Sequence, residues 1–151
     1  MLIRLAKNED TEMLLNMIFR LYDEGAYAFL PFDHDKVKHL IRASIDNPLT
    51  RCIFVAEEGN TIAGLFIGYL TDYIICDEKL ACDVLLFVDR KYRGTTAAMR
   101  LIKEFRKWAN AHHAREVCLG ISTDIDAERT GKFYERMGFT RVGGIYKQRL
   151  V

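Results

Sequence analysis

Val84-Leu85-Leu86-Phe87-Val88-Asp89-Arg90-Lys91-Tyr92-Arg93-Gly94-Thr95-Thr96-Ala97-Ala98 is the stretch on which the fold turns. Five consecutive apolar residues, 84–88, predict a buried central strand, because a strand covered on both faces shows no polar alternation. A loop follows at 89–96. Beyond it Ala98, Leu101, Ile102, Phe105, Trp108 and Ala109 form the apolar stripe of a long amphipathic helix. The first N–H groups of a helix have no partner within it, and the helix dipole favours negative charge there. Such a terminus binds phosphate without a basic side chain, and Gly94, Thr95, Thr96, Ala97 and Ala98 are small enough to admit a ligand to the backbone. Taken alone, the stretch is equally compatible with a capped helix that binds nothing.

Upstream, residues 2–6 predict a first strand, and Asn8 to Asp10 offer a helix N-cap with acidic residues in the first turn. Leu14, Met17, Ile18, Leu21 and Tyr22 then recur at helical spacing. Residues 25–33 break that pattern as a loop. A second helix carries Val37, Leu40, Ile41, Ser44 and Ile45, and Asn47 ends it because a residue before proline avoids the helical region. Residues 51–57 and 61–71 predict a hairpin around Glu58-Gly59-Asn60. Downstream, 115–121 predicts a strand, 126–137 a short helix closed by Gly138, and 139–150 the last strand or strands. This order is a mixed α/β fold around one sheet.

A chain of 151 residues suits a single domain, 1–151. With 50% hydrophobic and 28% charged residues it reads as an ordinary globule. A net charge of +1, with no run of five like charges, lacks the basic footprint of a nucleic-acid binder. No apolar stretch reaches membrane-spanning length and the N-terminus is no signal peptide, so a cytoplasmic location is expected. The four cysteines, Cys52, Cys76, Cys82 and Cys118, form no C-x-x-C pair and read as reduced. The histidines are not spaced as ligands, so no metal is expected.

Residues 88–98 resemble the acetyl-CoA signature of the GNAT acetyltransferase superfamily, Arg/Gln-x-x-Gly-x-Gly/Ala between an apolar strand and a helix. Arg93 matches its first position and Ala98 its last, while Thr96 stands where the family usually has glycine. Gly131-Lys132-Phe133-Tyr134-Glu135-Arg136-Met137-Gly138-Phe139 is similar to a second family segment, A-x-x-F-Y-x-x-x-G-F. The Arg-Gly-Thr-Thr-Ala-Ala variant also resembles small members encoded by bacteriophages. The resemblance covers nearly the whole chain. It implies a mostly antiparallel sheet with splayed central strands and about four helices. It further implies transfer of an acetyl group from acetyl-CoA to a primary amine by direct attack, and allows a homodimer through the last strands.

By the same resemblance, Phe87, Val88, Arg93, Gly94, Thr95, Thr96, Ala97 and Ala98 hold the co-substrate. A backbone N–H at Phe87 or Val88 faces the developing oxyanion, and Tyr134 protonates the leaving thiolate. The base that takes the amine's proton is Asp83 or Asp124, directly or through water. The acceptor, a small molecule or a protein amine, is expected at the aromatic loop (Tyr27, Phe29, Phe32) and the acidic one (Asp72, Tyr73, Asp77, Glu78), with Tyr69 also on that side; acidic residues there would draw a cation. The competing reading is a non-catalytic acyl-CoA-binding or protein-interaction module on the same fold, since fold does not guarantee activity.

Overall fold

A computed structural model describes residues 1–150. Strand β1 (Leu2–Leu5) leads through a single turn at Asn8–Asp10 into α1 (Thr11–Glu24), and α2 (His34–Asp46) follows. Then come β2 (Arg51–Glu58), β3 (Thr61–Asp72) and β4 (Lys79–Val88), α3 (Ala97–Ala111), β5 (Ala114–Cys118) and α4 (Ala127–Arg136). The sheet order is β1-β2-β3-β4-β5, antiparallel throughout except for the parallel β4–β5 pair. The protein is thus an α/β fold with one mostly antiparallel sheet and four α-helices.

Both faces of the sheet are covered, which explains the apolar runs in β2 and β3. Ile53, Val55, Leu65 and Ile67 turn toward Leu14, Met17, Ile18 and Leu21 of α1 and Ile41 of α2. Cys52, Phe54, Ala56 and Phe66 turn the other way, toward Leu101, Ile102, Phe105 and Ala109 of α3 and Tyr134 of α4. On that second face Phe66 and Phe105 stack with ring centroids 4.4 Å apart. Gly68 is what lets the Phe105 ring lie so close to the strand. A Cβ there would stand 2.3 Å from the Phe105 ring.

Three expectations change. Residues 84–88 are not a fully buried strand. β4 begins at Lys79, and Val84 is 45% exposed. The cause is a break in register. Ile67 pairs with Leu85 and Gly68 with Asp83, so Val84 bulges without a partner. The predicted strand at 115–121 stops at Cys118, because the Gly120 N–H leaves the ladder and donates to Asp83 Oδ1 at 2.9 Å. Residues 139–150 form no strand. Adjacent Gly143 and Gly144 weaken any strand there, and Val142 stays 92% exposed. The segment through which a dimer was expected therefore supplies no strand, and β5 is the sheet's edge. The expected splay opens between β4 and β5. β4 and β5 pair only from Lys79–Ala114 to Cys82–Cys118 and then part.

Gly68→Ala would force the buried Phe105 ring off its site. It is expected to lower stability by about 1–3 kcal/mol in urea denaturation, the usual cost of overpacking.

Candidate active site

Past Cys82, β4 has no neighbour on its β5 side. Alternate N–H and C=O groups of its second half therefore open into the gap instead of a ladder. The gap is a cleft of about 190 Å³. Asp83 to Val88, Arg93 and Ala98 form one wall, and Gly120 to Thr123 with Tyr134 form the other. A larger hollow of about 620 Å³ between α3, β5 and Met137 contains none of the candidate co-substrate, catalytic or acceptor residues.

Asp83 stands at the fork. Burial disfavours its charged form and pushes the carboxyl up to about 6, although N–H groups, Gly120's among them, donate to it and oppose the rise. Tyr134 is buried on the opposite wall. Desolvation raises its phenol above the ordinary tyrosine value, and the Asp83 charge adds to the rise. Its helix is held by the closure predicted from Gly138. Gly138 has φ +93°, and the N–H groups of Gly138 and Phe139 donate to the carbonyls of Glu135 and Tyr134.

At the start of α3, Gly94 has φ +85° and turns the loop into the helix. Thr95 caps it: the hydroxyl donates to the Tyr92 carbonyl at 2.6 Å and accepts from the Ala97 N–H at 3.3 Å. Among the described residues the N–H groups of Thr96, Ala98 and Met99 meet no protein acceptor. Thr96 is exposed and its side chain makes no capping bond, so it does not fill the space before the helix. This terminus fits a diphosphate. The Arg93 side chain is committed elsewhere: Nε donates to the Val88 carbonyl at 3.0 Å, and the guanidinium pairs with Glu24 at 2.8 Å. It fastens the loop to the strand end and to α1.

The expected acceptor residues divide. Tyr27 sits beside the cleft, because the neighbouring Ala26 N–H donates to the Thr123 carbonyl of the cleft wall at 2.9 Å, and Phe29 lies exposed two residues further along the same loop. Phe32 packs instead against the core with Phe19, Tyr22 and His34. Asp72 is paired with Lys79, and Tyr73 donates to Glu116 at 2.6 Å, so the structure does not bring these two into the cleft. Asp124 is exposed on a left-handed turn and does not line the cleft, whereas Asp83 does. Sequence reasoning missed Glu24 and the wall at Gly120, Ile121 and Ser122. Nothing marks Glu24 in the sequence, and Gly-Ile-Ser-Thr after a strand was the one available signal for the wall.

Residues 50–141 match the family model described as Acetyltransferase (GNAT) domain. No curated protein sequence matches the chain. Among solved structures, glucosamine-6-phosphate N-acetyltransferase from Arabidopsis thaliana superposes with a TM-score of 0.78 at 15% identity, covering 99% of this chain and 98% of that one. A predicted acetyltransferase from Clostridium acetobutylicum, solved with acetyl-CoA, gives 0.75 at 17% identity over 99% and 96%. A transcriptional regulator from Bacillus halodurans gives 0.80 at 19% identity over 99% and 99%. At these identities the likeness is one of fold.

The raised Asp83 value carries a stability consequence. A carboxyl lifted from its ordinary value of 3.8 to about 6 contributes stability that is present below pH about 4 and is lost as pH rises through about 6. Asp83→Asn keeps the acceptor for Gly120 without the buried charge. It is expected to be more stable than the parent in urea by on the order of 1–3 kcal/mol at pH 7.5, with the difference vanishing near pH 3.5.

Proposed function

The chain belongs to the GNAT acetyltransferase domain family, and from that premise we propose that it moves an acetyl group from acetyl-CoA to a primary amine by direct attack. The observation that carries the reading is the pairing of Asp83 and Tyr134 across one cleft, with a carboxyl near neutrality facing a phenol held protonated. Acetyl-CoA supplies the acyl group already activated as a thioester. The N–H groups of Thr96, Ala98 and Met99 hold its diphosphate, and the unpaired edge of β4 at Phe87 and Val88 receives the acyl end. An N–H of that edge donates to the acyl oxygen as charge builds there. Asp83, ionised above pH about 6, takes the proton that the amine nitrogen loses as its bond to the acyl carbon forms. Tyr134 gives its proton to the sulfur as the carbon–sulfur bond breaks, leaving an amide and free coenzyme A.

Two finer points belong to the same proposal. The four cysteines are free, and among the described residues no helix is long and apolar enough to cross a membrane; we place the reaction in the cytoplasm on the first of these. Kinship with bacteriophage-encoded members rests on Arg93 to Ala98 alone.

A second reading, a non-catalytic acyl-CoA-binding or interaction module, is favoured by Arg93, whose charge is spent on Glu24. The Bacillus halodurans neighbour, described as a transcriptional regulator, lends it support. Thermal stabilisation by acetyl-CoA with no product from any amine in a broad panel would select it.

Product mass spectrometry from acetyl-CoA and an amine mixture tests the first reading. Turnover is expected to fall about 100-fold in Tyr134→Phe and in Asp83→Asn, the usual range for a lost proton donor or acceptor. In the parent, kcat/KM should rise with pH through about 6, and Asp83→Asn should lose that limb. Arg93→Ala frees the loop from Glu24 and is expected to weaken acetyl-CoA binding in calorimetry about tenfold, one lost charge-assisted contact.

A further inference from the structure

Beyond Gly138 the chain runs back past the mouth of the cleft. Lys147 Nζ donates to the Ser122 carbonyl at 2.7 Å and to the Tyr27 hydroxyl at 2.9 Å. The same ammonium lies 4.5 Å from the Tyr27 ring centroid, and the Arg149 guanidinium lies 3.7 Å from that of Phe29. Ser122 is part of the cleft wall. Two cationic side chains, two residues apart and so on one side of an extended segment, thus rest on the rim of the cleft.

The rim and the segment on it are held differently. The rim is fixed by hydrogen bonds to its backbone: the Ala26 N–H donates to the Thr123 carbonyl, and the Tyr22 hydroxyl donates to that of Leu30. Among the described residues, the segment after Phe139 makes no backbone–backbone bond and Lys147 and Arg149 make no ion pair. Its Tyr146 is 97% exposed. The cations are received by ring faces, a phenol oxygen and a carbonyl, contacts that are individually weak at an exposed site and therefore exchangeable.

We propose that Tyr27, Phe29 and the Ser122 carbonyl form a recognition subsite for an extended peptide carrying two cationic side chains two residues apart, and that Lys147 and Arg149 of this chain are its internal occupant. The tail then competes with the acceptor. The link between this subsite and acetyl transfer rests on the reading above; the binding does not. Lys147 is the occupant that meets the cleft wall, through the Ser122 carbonyl. The hydrogen bond it donates to Tyr27, with Ser122 also acting there, holds that phenol below the ordinary tyrosine range. Displacement of Lys147 is thus visible in the tyrosine's own titration.

The test is calorimetry, without acetyl-CoA, on the full chain and its Lys147→Gln/Arg149→Gln variant, with a synthetic peptide of residues 143–150 (Gly-Gly-Ile-Tyr-Lys-Gln-Arg-Leu) as probe. The variant should bind the peptide about three- to tenfold more tightly than the parent, the worth of one or two exposed cation–π contacts. A peptide with both cations replaced by glutamine should not bind, and Tyr27→Leu/Phe29→Leu should abolish binding in either background. Equal affinity of parent and variant, or equal binding of the uncharged peptide, overturns the proposal. So does tighter binding of spermidine than of the peptide, which would make the site one for small polyamines. Peptide binding with no acetylated product from it or any amine once acetyl-CoA is added would leave the subsite standing and remove the acetyl-transfer reading instead.

Discussion

β4 keeps β5 as a partner only as far as Cys82, and the functional end of the molecule depends on that parting. A broken ladder leaves backbone groups without partners, and buried ones must find others. The Gly120 N–H finds the carboxylate of Asp83. One side chain therefore closes the ladder and stands at the apex of the cleft. The bulge at Val84 belongs to the same device, since it changes the pleat just past Asp83 and lets the second half of β4 turn its edge toward α4. The burial that gives Asp83 its structural place also lifts its carboxyl toward neutrality.

The helix that opens over this cleft is positioned from its far side. Phe105 against Gly68 and Phe66 sets the depth of α3 on the sheet. Its N-terminus is then trimmed locally by the left-handed turn at Gly94 and the Thr95 hydroxyl. Arg93 and Arg90 both reach Glu24 at the end of α1, so the loop is tied to an element packed on the opposite face of the sheet. The unpaired N–H groups of Thr96, Ala98 and Met99 are held in place by packing several turns away.

The sequence made the helices and the first three strands legible because their signals are local. Apolar spacing marks α1 and α3, Asn47-Pro48 stops α2, and Gly138 closes α4. What failed was non-local. Nothing in Val84-Leu85-Leu86-Phe87-Val88 says that its neighbour will leave at Cys82, and nothing in 139–150 says that no strand will take it up. Among candidate site residues, Asp83 and Tyr134 line one cleft, and the loop of Tyr27 and Phe29 is bonded to its wall at Thr123. Phe32 reads like them in sequence, but it joins the core because the aromatic faces of Phe19 and Tyr22 lie within reach. Asp72 and Tyr73 read as acceptor-side residues, but Lys79 and Glu116 engage them, partners that depend on strand pairing.

Burial acts on Asp83 and Tyr134 in one direction, and in the proposed reaction it serves opposite uses. It brings the carboxyl into the range where it exchanges protons near neutrality, and it keeps the phenol protonated. The two are also coupled, because the Asp83 charge raises Tyr134 further. In the proposed reaction Asp83 loses that charge when it takes the amine's proton. The repulsion that held the phenol's proton then disappears, and Tyr134 becomes a better donor at the moment the sulfur needs one. On that proposal, two side chains in one desolvated cleft order the proton transfers, base first and acid second, with no moving part between them.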